Sequence, residues 1–159
     1  MGADVTFVAD AMLGRLAKWL RLMGYDTLYA AAADDRELVR IARAEGRILL
    51  TRDQELANRR GTRSLLIESD RLEEQLAQLL EELEMDSENL PPRCPLCNTA
   101  LEAISRSEAK ARVPAYVYST HEEFTRCPSC DKIYWRGTHW QRMRELMERV
   151  GEQSSAPPS

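Results

Sequence analysis

The four cysteines of this chain occur as two nearly identical pairs, and this pattern constrains the fold more than any other feature. Cys94 and Cys97 bracket the motif CPLC, Cys127 and Cys130 bracket the motif CPSC, and no other cysteine is present. Because each short turn presents two thiolates to one ion, the set suits tetrahedral Zn²⁺. Such a site leaves no open position for water, so we expect it to be structural. Two disulfides or a redox pair are the alternatives, which an intracellular setting and the duplicated motif disfavour.

Upstream of the cysteines, short apolar segments alternate with amphipathic ones. The predicted strands are 5–9, 27–30, 47–51 and 64–67, and the predicted helices are 11–23, 36–44, 54–60 and 71–85. Strands that alternate with helices predict a parallel sheet with helices on its faces. We therefore expect an α/β domain over residues 1–90, which ends before Pro91 and Pro92 because neither residue suits a helix interior.

The second half of the chain has a different character. Residues 93–137 are predicted to form short strands and turns held by the cysteines, followed by a last helix from about 139 to 150. We expect a second unit over 91–151 that combines a four-cysteine zinc ribbon with this C-terminal helix. Residues 152–159 are rich in serine and proline, and we expect them to form a disordered tail.

The formal net charge of −4 is concentrated in one segment. Residues 68–90 contain nine acidic side chains and one basic one, whereas the flanking parts are mildly basic. The overall acidity therefore does not exclude nucleic acid as a partner, since a phosphate responds to the local field. We expect the acidic helix 71–85 to face away from nucleic acid or toward a basic protein partner. No apolar run approaches the ~18 residues of a membrane span and no secretory leader is present, so we expect a soluble, cytoplasmic protein.

Aspartates follow the first three predicted strands at their carboxyl ends. Asp10 follows the first strand, Asp34 and Asp35 follow the second, and Asp53 follows the third. In an open parallel sheet these ends converge on one crevice, where such folds bind ligands. Carboxylates that converge there repel one another unless a cation is bound, and Mg²⁺ or Mn²⁺ takes oxygen ligands. The pattern favours metal-assisted phosphodiester hydrolysis.

Each of these aspartates also has a structural explanation. Asp10 and Asp53 precede predicted helices and could be N-caps, and Asp34 could form a capping box with Glu37. Asp70, just after the fourth strand, is a weaker further candidate for the metal site, and it could equally cap the acidic helix.

Basic side chains accompany the aspartates. Arg15, Lys18 and Arg21 fall within a ~120° arc of the first helix, away from its apolar residues. This arc could follow a nucleic-acid backbone from the crevice, or it could be an ordinary solvated helix face. Arg52, beside Asp53, could contact a phosphate or balance the carboxylates.

Basic and aromatic residues also mix in the cysteine-rich half. The set comprises Arg126, Lys132, Arg136, Arg142, Tyr134, Trp135 and Trp140. Such a surface could stack bases and neutralise phosphate. Trp140 shares a helical face with Met143 and Met147, which indicates core packing instead. We favour an accessory contact with nucleic acid, through Arg136 among others, over a purely structural ribbon.

Three stretches of the chain together resemble a known family. They are residues 7–26 (FVADAMLGRLAKWLRLMGYD), residues 46–53 (GRILLTRD), and the CPxC pairs with residues 134–140 (YWRGTHW). Over about residues 5–150 the chain looks like the Mut7-C family, a branch of the PIN-like ribonucleases that carries a C-terminal zinc ribbon. The resemblance implies a small PIN-like α/β fold and divalent-metal-dependent cleavage of RNA.

The resemblance also implies which acids bind the metal. They fall on Asp10, on Asp34 or Asp35, and on Asp53, and we prefer Asp35 because Asp34 is the better-placed cap for Glu37. Larger PIN nucleases have a longer domain and a further acidic position, for which this chain offers only Asp70.

Our leading hypothesis is an endoribonuclease in which Asp10, Asp35 and Asp53 hold Mg²⁺ or Mn²⁺ and water attacks the phosphate in line. A non-catalytic RNA- or ribosome-binding adaptor, with the aspartates serving only as caps, is the first alternative. The second is a protein-interaction module that uses the acidic helix.

Overall fold

Four short parallel strands form the sheet of the first half of the molecule. The computed structural model describes residues 5–83, 85, 90–137, 141, 144, 145, 148 and 149. The strands are β1 (Phe7–Ala9), β2 (Thr27–Tyr29), β3 (Ile48–Thr51) and β4 (Ser64–Leu66). Their order across the sheet is β2-β1-β3-β4, and every neighbouring pair is parallel. The predicted parallel α/β sheet is confirmed.

Helices follow the strands, as predicted. After β1 come a 3-10 turn (Ala11–Leu13) and α1 (Gly14–Leu22), and the later strands are followed by α2 (Asp35–Glu45), α3 (Gln54–Ala57) and α4 (Leu72–Leu83). The helix after β3 is shorter than the predicted span of 54–60. None of the helices described is both long and apolar enough to span a membrane.

The core lies on both faces of the sheet because successive strand residues point in opposite directions. Phe7 and Ala9 pack on one face with residues of α1 and α4, while Val8 packs on the other with residues of α2 and α3. All three are completely buried. Continuous apolar strands of this kind are typical of parallel sheets that are covered on both sides.

A second, antiparallel sheet forms in the cysteine-rich half. It consists of β5 (Glu102–Ile104), β6 (Phe124–Arg126) and β7 (Ile133–Tyr134), in that order. Two short helices, α5 (Arg106–Lys110) and α6 (Ala115–Thr120), lie between β5 and β6. These helices differ from the strands and turns predicted for 93–137.

Local capping and one arginine explain these two helices. The hydroxyl of Ser105 accepts a hydrogen bond from the amide of Glu108 at 3.2 Å, which begins α5. Arg106 donates to the carbonyls of Tyr118 and His121 and lies 4.3 Å from the centroid of the Tyr118 ring, so it ties α5 to α6. The Ser105–Glu108 pair is the sequence signal that could have predicted α5.

The predicted C-terminal helix lies mostly outside the described residues. Within 139–150, positions 141, 144, 145, 148 and 149 are described, and all five are helical. The predicted apolar face of this helix, at Trp140, Met143 and Met147, and the tail 152–159 lie outside the described residues.

The first cysteine turn docks on the amino edge of the parallel sheet. The side-chain oxygen of Asn98 accepts from the amide of Thr27, the first residue of β2, at 3.1 Å. The amide of Arg93 donates to the carbonyl of Arg21 at 2.8 Å. Gly24 makes the close approach of the linker possible, because it has a φ of +99° and a Cβ there would lie 2.5 Å from the Cβ of Leu90. The first cysteine turn is thus held at the edge opposite to the aspartates.

Candidate functional site

The predicted acidic residues lie beyond the carboxyl ends of three neighbouring strands. Asp10 directly follows β1, Asp53 follows β3 by two residues, and Asp34 and Asp35 stand where the segment after β2 enters α2. Since the strand order is β2-β1-β3, these positions share one edge of the sheet.

Asp10 and Asp53 are connected through one buried hydroxyl. The hydroxyl of Thr51, a residue with 0% exposure, donates to Oδ2 of Asp10 at 2.5 Å. The same oxygen accepts from the amide of Asp53 at 3.0 Å. Asp10 itself is only 9% exposed. Sequence reasoning did not single out Thr51, although a polar residue that ends a buried strand two positions before an aspartate is a usable signal.

Three of the aspartates also cap helical turns, as their alternative interpretation predicted. Oδ1 of Asp10 accepts from the amide of Met12 at 3.0 Å, and Oδ1 of Asp34 accepts from the amide of Glu37 at 2.9 Å. Oδ1 of Asp53 accepts from the amides of Glu55 and Leu56 at 2.9 and 3.3 Å. For Asp34 and Asp53 these bonds all use Oδ1, so capping is compatible with a ligand on Oδ2.

Asp35 and Asp70 differ from these capping residues. Asp35 is the first residue of α2 and is exposed. Asp70 is exposed just before α4, where the hydroxyl of Ser69 accepts from the amide of Arg71 at 3.0 Å. The sequence suggested Asp70 as a possible cap of the acidic helix. In the structure, the hydroxyl of Ser69 supplies a capping hydrogen bond at the start of α4.

The aspartates share an edge without forming a tight ligand cluster. In the part of the chain that the structure describes, the cysteines are the one group of three or more His, Cys, Asp or Glu side chains whose ligand atoms lie within 4.8 Å of one another.

The basic arc of α1 is divided by burial. Arg15 and Lys18 are exposed, as an RNA contact requires. Arg21 is 7% exposed, its Nε donates to the carbonyl of Thr27 at 2.9 Å, and its Nη1 donates to the carbonyl of Pro95 at 2.8 Å. The prediction for Arg21 is therefore corrected: this side chain links α1 to β2 and to the first cysteine turn, and we do not assign it to RNA.

The two remaining predicted basic contacts differ in their surroundings. Arg52 is partly buried, and its Nε is buried without a hydrogen-bond partner among the described residues. Arg136 is exposed, and its Nη1 lies 3.9 Å from a carboxylate oxygen of Glu123. Such an exposed pair is weak and does not prevent contact with a phosphate.

The four cysteine sulfurs have the spacing of a zinc site. The Sγ atoms of Cys97 and Cys127 are 3.4 Å apart, and those of Cys94 and Cys130 are 4.0 Å apart. Zinc–sulfur bonds of ~2.3 Å in a tetrahedron place sulfurs ~3.8 Å apart, whereas a disulfide is ~2.05 Å long. The four thiols are not disulfide-bonded. They form a group that could bind a metal such as zinc.

The two turns of the cluster have the same backbone geometry. Asn98 and Asp131, each four residues after the first cysteine of its pair, have positive φ angles of 72° and 57°. Each donates its amide to the carbonyl of that cysteine at 2.8 Å. Asn and Asp tolerate the left-handed region better than most other non-glycine residues, so both turns can bring two sulfurs together.

Neighbouring hydroxyl and thiol groups shift the pKa values of these cysteines. Hydrogen bonding with Thr99 lowers the pKa of Cys97 to about 6, whereas hydrogen bonding with Cys97 raises the pKa of Cys130 to about 12. The hydroxyl of Tyr134 lies 3.2 Å from Sγ of Cys94. Burial, together with this contact, raises the pKa of Tyr134 well above its usual value. Tyr134 therefore stays protonated and can donate to a cysteine thiolate at neutral pH.

Comparison with known proteins agrees with the resemblance noted in the sequence. The family model described as the Mut7-C RNAse domain matches residues 5–147 of this 159-residue chain. Comparisons with curated proteins and with solved structures give no significant match. The family match includes the parallel sheet with its aspartates and also the four-cysteine cluster. The chain therefore belongs to the Mut7-C RNAse domain family.

Proposed function

We propose that this protein is a divalent-metal-dependent endoribonuclease whose site is the carboxyl edge of the parallel sheet. Family membership suggests a ribonuclease-like role. The observation that carries the proposal is the linked unit of Asp10, Thr51 and Asp53 at the edge where open parallel sheets bind ligands.

Asp10, Asp53 and Asp35 are the proposed ligands of Mg²⁺ or Mn²⁺. The donor type suits such an ion, because hard divalent cations take carboxylate oxygens and keep positions for water and phosphate. The three carboxylates would have to move closer together to share one ion, since their oxygens do not all lie within 4.8 Å of one another. When bound, the ion would activate a water molecule and stabilise the leaving oxygen. Thr51 orients Asp10, while the capping bond from Met12 fixes its other oxygen. Asp34 stays the alternative, since its Oδ2 is not used by the cap, but Asp35 is preferred because Asp34 is already the N-cap of α2.

Nearby cations are proposed to bind the substrate. Arg15 and Lys18 are exposed on α1, which Asp10 leads into through the 3-10 turn. Arg52 adjoins Asp53 and is only partly buried, so we assign its guanidinium a phosphate contact as well. We assign Arg136 an accessory contact, since the ribbon docks at the opposite edge.

The remaining parts of the proposal concern the ribbon, the acidic helix and the location. The four cysteines hold a structural Zn²⁺ that supports the first cysteine turn against the sheet. The acidic segment around α4 faces away from RNA or binds a basic protein. We propose a cytoplasmic location.

The test uses asparagine substitutions because Asn caps helices about as well as Asp but carries no charge. Asp10→Asn and Asp53→Asn, in zinc-loaded full-length protein with Mn²⁺, should each slow cleavage of a labelled single-stranded or hairpin RNA by ~100-fold or more. Asp35→Asn should do the same, whereas Asp34→Asn should cleave at nearly the wild-type rate. Glu81→Gln removes one exposed charge on α4 and serves as the control.

A non-catalytic RNA-binding adaptor is the second candidate, because Asp10, Asp34 and Asp53 all act as caps. It requires that wild type, Asp10→Asn and Asp53→Asn bind RNA equally well, with no turnover and no dependence on divalent ions. Wild-type cleavage rates in both variants would reject the nuclease proposal.

A further inference from the structure

A groove lined mainly by arginines lies between α2 and the segment that follows α3. Its volume is about 540 Å³, and its lining consists of Arg36, Val39, Arg40, Arg43, Ala44 and Arg59. All four arginines are exposed, and none was among the predicted nucleic-acid contacts. In the sequence alone, three of these arginines look like the solvated face of one helix, and the fourth is distant from them.

The groove begins close to the acidic edge of the sheet. Arg36, Arg40 and Arg43 are spaced four and three residues apart, so they lie on one face of α2. Arg36 directly follows Asp35, the first residue of α2. From Arg36 to Arg43 the helix rises by ~10 Å, which matches about three base steps of a nucleic-acid strand. These three arginines therefore extend along α2 from Asp35, the candidate metal ligand, on the outside of the molecule.

One arginine of the groove is held in place. Nε of Arg43 donates to the hydroxyl of Thr62 at 3.1 Å, and its Nη2 donates to the carbonyl of Arg60. Gly61 permits this approach because its φ is +75° and a Cβ there would lie 3.1 Å from Nη2 of Arg43. The guanidinium is thus fixed against the loop before any ligand binds, which lowers the entropic cost of binding.

The positive charge of the groove is largely uncompensated. Arg40 pairs with Glu37 at 3.3 Å, but both side chains are more than half exposed, and such pairs contribute little. Among the described residues, Arg36, Arg43 and Arg59 form no ion pair. Like charges held this close repel one another, so a bound anion would stabilise the arrangement.

We propose that this groove binds the phosphate backbone of RNA and carries the strand away from the cleavage site. The identity of the polyanion rests on the nuclease function proposed above. Guanidinium groups match phosphate oxygens in a bidentate manner, and no aromatic residue lines the groove to stack a base. Backbone contacts carry little sequence information, so this binding is independent of base sequence.

The test measures RNA binding without divalent ions, so that it does not depend on cleavage. Full-length zinc-loaded Arg36→Gln/Arg59→Gln is compared with Arg71→Gln/Arg112→Gln, which removes the same charge from two exposed arginines elsewhere. The probe is a fluorescent single-stranded RNA of mixed sequence, followed by anisotropy across a salt series. The groove variant should bind about 10-fold more weakly, and its salt slope should fall by about 1.4, since each phosphate contact contributes ~0.7. The control should bind as wild type does.

The outcomes separate this inference from the nuclease proposal. An affinity and salt slope equal to those of the control would overturn the groove assignment, even if Asp53→Asn abolishes cleavage. Weakened binding by the groove variant would support it, even if Asp53→Asn cleaves normally and the nuclease proposal fails. Labelled polyglutamate serves as a second probe. If the groove variant lost affinity for polyglutamate but kept its affinity for RNA, the groove would be assigned to an acidic protein and the inference would be overturned.

Discussion

Both edges of the parallel sheet carry aspartates, but the aspartates have different partners at the two edges. At the amino edge, the carboxylate of Asp26 accepts from Nη1 of Arg47 at 2.9 Å and from the amide of the Asn98 side chain at 2.6 Å. Nη1 of Arg47 also donates to the carbonyl of Phe7 at 3.1 Å. The charges of Asp26 and Arg47 are thus neutralised locally, and the cysteine turn completes the network.

At the carboxyl edge, the carboxylates are bound by neutral donors. The Asp10 carboxylate accepts from the amide of Met12 and from the hydroxyl of Thr51, and the Asp53 carboxylate accepts from two backbone amides of α3. Neither carboxylate forms an ion pair within the described part of the chain. Arg52, which adjoins Asp53, leaves its Nε unbonded there. Neutral donors fix the position of a carboxylate but do not neutralise its charge. This difference is the one we expect if the amino edge stabilises the fold and the carboxyl edge binds the proposed metal ion.

The largest expected effect comes from removing the support of the amino edge. Cys127→Ser should lose zinc and lower the free energy of unfolding by several kcal/mol, because zinc binding in small domains is worth ~10 kcal/mol or more. The amide of Thr27, bonded to Asn98, should exchange with solvent faster, whereas the amide of Asp53, bonded to Thr51, should stay protected. Zinc content and hydrogen exchange by NMR measure both effects.

The control for this experiment is Ser129→Ala, which changes an exposed residue of the same turn and should retain zinc. If the zinc-free variant kept its protection at Thr27, the cysteine turn would not depend on the metal to dock. Loss of protection at both amides would show that the two edges are one cooperative unit.

A smaller effect is expected from breaking the ion pair of the amino edge. Asp26→Asn should lower the free energy of unfolding by about 2 kcal/mol, below the cost for a fully buried pair because the Asp26 side chain is 28% exposed. Cleavage of RNA per folded molecule should not change. Glu45→Gln, which removes the more exposed partner of Arg47, should cost less than ~1 kcal/mol. Urea unfolding measures both.

The pH dependence of stability tests the role of Asp26 at the amino edge. Burial opposes the charged form of Asp26, but hydrogen bonds from Arg47 and Asn98 outweigh it, and the pKa of Asp26 is lowered. The carboxylate therefore stabilises the protein above its unfolded pKa of ~3.9, and this contribution is lost as the pH falls through the lower folded pKa. The stability difference between wild type and Asp26→Asn should stay constant near neutral pH and shrink below about pH 4. A constant difference down to pH 2 would contradict the assignment.

Much of this comparison could be predicted from local sequence, and the exceptions have one cause. The largely apolar run 47–51 indicated β3, and the repeated CPxC motif indicated the cluster, because each signal is a short local motif that can be recognised without the fold. Arg21 was placed wrongly because helical periodicity shows which residues share a face, but not that a segment 74 residues later covers it. The arginine groove was missed for the same reason, since Arg59 joins the face of α2 only in the folded chain.

The aspartates show a different limit of sequence reasoning. Capping and metal binding need the same residue type at the same place, just after a strand and just before a helix. The sequence therefore could not separate the two roles for Asp10 or Asp53. The structure adds Thr51, which touches both residues and which helix capping alone does not require.

The smallest effect, and the most specific to the carboxyl edge, is expected at Thr51. Thr51→Val keeps the buried shape but removes the hydroxyl, so Oδ2 of Asp10 and the amide of Asp53 each lose a partner. We expect the turnover number for RNA to fall about 10-fold with little change in KM, because the substrate-binding cations are untouched, and stability to fall by about 1 kcal/mol. Thr51→Ser restores the hydroxyl and should recover most of the turnover. Two results would contradict this role of the hydroxyl: Thr51→Ser as slow as Thr51→Val, or a Thr51→Val variant in which only KM rises. In either case Thr51 would serve the packing of the carboxyl edge and would not position the aspartates.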